Sequence, residues 1–150
     1  MNVRTTIALA AAALSFCSLI PAAGAADEER AYTEGSVISV SYIRTEPGKF
    51  HEYMKYLQST YKPLMEEEKK AGLIVGYGIY SARPHTPDDP DLILTVEFKN
   101  MAALDNLETK LDPIDRKVWA TISKQDEASA GRSKLRTDLG GQLLRELKLK

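Results

Sequence analysis

The residues able to do chemistry are few in this chain. Its two histidines are His51 and His85. Neither stands in a His-x-x-x-His spacing, and no cysteine pair or Asp-x-Asp loop accompanies them. No zinc or calcium ligand set is therefore in place, and neither a metal nor a cofactor is expected. The sole cysteine, Cys17, lies near the start, and no Gly-x-Ser-x-Gly is present, so nucleophilic catalysis has no obvious agent. Asp88 and Asp89 are adjacent carboxylates beside a proline, a setting that is more often turn chemistry than acid–base chemistry. Gly76-Tyr-Gly78 precedes no helix and so makes no phosphate cradle. What remains is aromatic: Tyr42, Tyr77, Tyr80 and Trp119. A buried tyrosine or tryptophan offers an apolar body with one polar tip, which suits an aromatic or polycyclic ligand; the plainer reading is ordinary core. Tyr42, Tyr77 and Trp119 are the candidate ligand-binding rings. Arg145 joins them because it breaks an apolar strand face, where it either pairs with Glu97 or meets an anionic ligand. No catalytic residue is assigned.

These side chains need elements to position them. A hairpin anchors the pattern: Leu73–Ser81 and Asp91–Lys99 are rich in β-branched and aromatic residues. Three prolines in the connection between them rule out a continuing central strand. On the first strand, glycines alternate with larger residues, which predicts close approach of a backbone or a ligand on that face. Ser36–Arg44 reads as an earlier strand with apolar residues on both faces, which predicts a sheet covered on both sides. Lys49–Lys70 carries Phe50, Tyr53, Met54, Leu57, Tyr61, Leu64 and Met65 at helical spacing, with Pro63 forcing a kink or break near Thr60. Asn100 caps a helix starting at Met101, and Pro113 restarts it. Asp126–Leu139 reads as a further helix stopped by Gly140-Gly141, and Gln142–Lys150 as the closing strand.

The chain has 150 residues, which predicts one domain, with 20 Lys+Arg against 21 Asp+Glu. So balanced a charge makes no electrostatic case for nucleic acid or an anionic membrane. Arg4, an apolar run from Thr6 to Ile20, and the small residues Ala23-x-Ala25 form the pattern of a secretory signal peptide, residues 1–25. The run is shorter than the roughly 20 residues of a spanning helix, so no membrane insertion is expected after cleavage. Removal of the signal leaves a periplasmic or secreted chain without a thiol. Residues 26–35 read as a flexible leader and 36–150 as the domain.

The order strand, helix, strand, strand, helices, strand is that of an α+β, ferredoxin-like βαββαβ domain with an antiparallel sheet and an extra C-terminal helix before the last strand. Three features carry a resemblance. They are Val37–Arg44 leading into Pro47-Gly48-Lys49-Phe50, the Tyr77–Asn100 hairpin entering Met101-Ala-Ala-Leu104, and the closing Leu143–Leu149 strand. In these the chain resembles the dimeric α/β-barrel superfamily, which includes antibiotic-biosynthesis monooxygenase-type domains and uncharacterised exported bacterial proteins. The resemblance implies a homodimer whose sheets pack face to face, with a pocket between sheet and helices. The monooxygenase-type relatives oxidise aromatic substrates without a cofactor, chemistry that asks of the protein a shaped pocket and a proton acceptor.

Three functions follow as expectations. The first is an exported small-molecule-binding protein, with an aromatic ligand. The second is a cofactor-independent monooxygenase-like enzyme on an aromatic substrate. The third is a structural envelope dimer without a ligand. The first two require an accessible pocket, whereas the third predicts a filled core.

Overall fold

A computed structural model describes residues 30–119 and 121–150. The expected signal peptide lies outside the described residues, as does the first part of the expected leader. Four strands make one sheet in the order β2-β3-β1-β4, and every neighbouring pair is antiparallel. The strands are β1 (Tyr32–Thr45), β2 (Gly76–Ser81), β3 (Leu92–Phe98) and β4 (Arg136–Leu149). The helices are α1 (Phe50–Tyr56), α2 (Lys62–Lys70), α3 (Leu107–Trp119) and α4 (Ile122–Ser133). This α+β layout is compatible with the expected ferredoxin-like arrangement, and α4 is the extra helix before the last strand.

Several boundaries differ from the sequence reading. β1 begins at Tyr32, because the end of the supposed leader pairs with the end of β4, Tyr32 opposite Leu149. Helix α4 ends at Ser133, and Arg136–Leu139 is strand rather than helix. Gly140-Gly141 is no helix stop; it lies inside β4, beside a shift in register between Ser41 and Ile43 of β1. Asn100 caps a short 3-10 turn, Met101–Leu104, through Ala103 N–H donating to Oδ1 at 3.1 Å. Asn106, at φ 55, separates that turn from α3, which runs through Pro113 without restarting.

The break expected before Pro63 takes a particular form. Between α1 and α2 the chain makes a π-helical turn, Leu57–Tyr61, and Lys62 N–H donates to the Leu57 carbonyl. The wider turn absorbs the proline, which has no N–H to continue the tighter ladder.

The helical run reaches the sheet on one face only. Ile43, Leu92 and Leu94 pack with Tyr53 and Leu57, and Val37 and Phe98 pack with Met65 and Ile74. Among the described residues no helix lies over the opposite face: Ile38, Val40, Tyr80, Thr95, Glu97 and Leu144 line a shallow concavity there. Covering on both sides is thus not met within one chain. Nor is the glycine face empty, since a Cβ at Gly78 would lie 2.6 Å from Tyr80 Cε2. The protein's own Tyr80 ring occupies the space that glycine leaves. Edge strand β4 is exposed along most of its length, with Leu143, Leu144, Leu147 and Leu149 between 45% and 84% accessible.

Candidate functional site

On the helix-facing side of β1 the sequence alternates Val37, Ser39, Ser41 and Ile43. Val37 and Ile43 are fully buried and anchor the two halves of the core. Between them stand the two serines, too small to fill the layer. A cavity of about 160 Å³ results, floored by Ser39 and Ser41 with Leu94 and Val96 beside them.

The other walls come from two places. The first helical run supplies Tyr53, Tyr56 and Tyr61. Tyr53 and Tyr61 lie on the apolar stripe of that run, and Tyr61 closes the π turn. Turns of this kind recur at functional sites, because they re-aim the side chains that follow. The rings of Tyr53 and Tyr56 stack with centroids 5.9 Å apart and planes 10° apart. The C-terminal elements supply Arg132 from the end of α4 and Arg136 from the start of β4.

The arginines differ in their surroundings. Arg136 is ion-paired with Asp138 at 3.0 Å, and its guanidinium lies 5.8 Å from the Tyr53 ring centroid. Arg132 is half-buried, and its Nη2 lies 3.5 Å from Ser129 Oγ. Among the described residues no carboxylate stands within ion-pair distance of it. Burial pushes the Tyr53 phenol up to about 12, with Arg136 and then Arg132 pulling it back. Burial also raises Tyr61, and Glu68 raises it further. Among the described residues no carboxylate or histidine lines the cavity. The arrangement stacks, donates hydrogen bonds and attracts negative charge, but it offers no group poised to take a proton near neutral pH.

A second hollow of about 430 Å³ adjoins the first and shares Tyr56, Tyr61 and Arg132 with it. Trp119, Asp115 and Ala128 form its far side. Trp119 also borders a broader groove between α3 and the start of α4. That groove, of about 670 Å³, is an open channel between helices and shares no tyrosine with the inner chamber.

The candidate residues are thereby dispersed. Tyr42 faces away from the helices, and its hydroxyl donates to Gln142 Oε1 at 3.3 Å. Tyr77 stands behind the chamber wall, edge-on to Tyr61 at 6.0 Å, with its hydroxyl donating to Glu66 at 2.7 Å. Trp119 lines the outer hollow. Arg145 is ion-paired with Glu34 at 2.6 Å, not with Glu97. No two of these four line the same hollow. Asp88 and Asp89 do turn chemistry: Asp88 pairs with Arg44, and Asp89 accepts from His85 and Thr86 N–H. Among the described residues no group of three or more His, Cys, Asp or Glu could hold a metal ion, and no helix is long and apolar enough to cross a membrane.

An α+β domain with a small cavity between sheet and helices, walled by tyrosine and bordered by arginine, is the class that fold and site define. No protein-family model and no curated protein matches the chain. Among solved structures it is similar to HapK from Hahella chejuensis, at 10% identity over 73% of this chain and 91% of that one, with a TM-score of 0.48. It is also similar to protein SO0527 from Shewanella oneidensis, at 14% identity over 78% and 96%, with a TM-score of 0.49. Neither likeness carries weight for function.

Proposed function

We propose that the chain is an exported small-molecule-binding protein whose ligand is a small aromatic compound held between sheet and helices. The carrying observation is the serine-floored, tyrosine-walled chamber, placed where a ferredoxin-like domain would otherwise be filled with core. In this reading the domain is of the dimeric α/β-barrel kind, released after a signal peptide ending near Ala25. Its open sheet face meets a second copy. The apolar residues on that face and along β4 support such a partner. Binding is favoured over oxygenation, because the lining has no ready proton acceptor.

The test is a thermal-shift screen of single-ring and polycyclic aromatics on the wild type and on Ser41→Leu. A ligand of the folded state raises the melting temperature by mass action. Single-ring compounds should stabilise the wild type. Ser41→Leu should fold, since the added methyl groups enter vacant space, and should lose the response. A wild type that no compound stabilises would refute the chamber as a binding site.

A further inference from the structure

We propose that the inner chamber selects a single-ring aromatic carboxylate, with Arg132 as the residue that receives the anion. This deepens the binding function proposed above and rests on it.

Size sets the ring count. A cavity of roughly 150 Å³ is enough to take up benzene, and this one is about 160 Å³. One six-membered ring and a small substituent fill it; a fused polycycle would have to extend into the outer hollow. Shape sets the ring type. Three tyrosine rings, Tyr53, Tyr56 and Tyr61, wall the cavity, a lining that suits a flat aromatic guest.

Charge sets the substituent. Two guanidiniums border one small chamber that no carboxylate lines. Asp138 neutralises Arg136, whereas Arg132 has no carboxylate partner among the described residues. A half-buried guanidinium with no carboxylate partner keeps its hydrogen-bonding fork open to a bound anion. The planar fork of arginine matches a carboxylate in two parallel hydrogen bonds. The hydroxyls of Ser39 and Ser41 on the floor can complete its coordination. Both guanidiniums also act on the Tyr53 phenol, so their fields meet inside the chamber.

The element that carries Arg132 agrees. Over residues 123–133 of α4 the partly buried residues are Gln125, Ala128 and Arg132, one face of the helix, and that face meets the outer hollow. Arg132 alone of the three borders both hollows. It therefore stands where a ligand passes from one to the other.

Calorimetry on the signal-free chain, at neutral pH and low salt, decides the matter with four probes: benzoate, benzamide, benzyl alcohol and acetate. Benzoate should bind at least about tenfold more tightly than its neutral isosteres, the scale of one charge-assisted hydrogen bond. Acetate should bind more weakly than benzoate, because it cannot stack. Arg132→Gln should bring benzoate to the level of benzamide, and Arg132→Lys should recover part of the difference. Circular dichroism checks that both variants are folded. Benzamide binding as tightly as benzoate would overturn the anion assignment and leave the chamber standing. Acetate equalling benzoate would overturn the aromatic assignment. Binding of none of the four probes would overturn both this selection and the function on which it rests.

Discussion

Glu68 sits on α2 with 6% of its surface accessible and no ion pair among the described residues. Burial first, and the nearby Asp115 second, push its carboxyl from 4.5 up to about 7. Burial and Asp112 raise Asp115 in the same sense. The folded state thus binds a proton that the unfolded state has released between about pH 4.5 and 7. Stability should fall as pH rises through that window and level off above it. Two exposed carboxylates act oppositely: Glu67, held down by its bond from Lys117, and Asp89, held down by backbone N–H groups of Thr86 and His85. Their contribution is lost below their unfolded values, so the melting temperature should peak on the acid side of neutrality. Glu68→Gln should flatten the decline and raise stability above pH 7 by ~1–3 kcal/mol. Thermal melts from pH 4 to 8 test this; parallel profiles for wild type and variant would exclude Glu68 as the cause. Legibility at this scale was uneven. Tyr53 and Tyr61 were visible as members of a helical stripe, and Ser39 and Ser41 as small polar residues on an otherwise apolar strand face. Their joint effect, a gap, was not visible, because a cavity depends on what the facing helix fails to fill. Arg132 and Arg136 were hidden, since both fell inside one supposed polar helix.

The element that misled was β4. Lys124–Ser133 is rich in helix formers, no proline or glycine follows before Gly140, and a glycine pair is an ordinary helix stop. Sheet pairing overrides that local signal. Arg136–Asp138 sit opposite Ile43–Thr45, and the glycines mark a bulge instead. Each glycine does a different task there. Gly140 has φ +90 with open space around it, while a Cβ on Gly141 would enter the Val40 carbonyl of β1. Gly140→Ala should therefore cost about 1 kcal/mol from backbone strain alone. Gly141→Ala should cost about 1–3 kcal/mol, because two paired backbones must separate. Urea denaturation measures both; an unchanged midpoint for Gly141→Ala would show that the bulge has slack. The hairpin, the first helical run and its break before Pro63 were legible, because apolar period and proline chemistry are local.

For the molecule as a whole, the sequence implied a sheet apolar on both sides, whereas the helices cover one. The mismatch has a physical source: alternation along a strand shows that a face is apolar, not which element covers it. If the bare face pairs with its twin, purified protein should be a dimer in light scattering at micromolar concentration. Leu144→Glu, which places a charge on that face next to Ile38, should then give a folded monomer. A wild-type monomer would instead assign the apolar face to another partner.

The place of β1 in the sheet bears on how the chain comes to be made. Among the described residues the first strand is an interior strand, and one of its two neighbours is the last. Tyr32 finds its partner at Leu149, so nearly every described residue must leave the ribosome before that ladder can close. A shorter nascent chain can pair β1 with β3 but leaves its other edge open. Closure of the sheet therefore waits for β4, far along the chain from its partner β1. Chains cut before Arg136 should therefore present β1 as an open edge, the template on which strands of separate chains pair and aggregate.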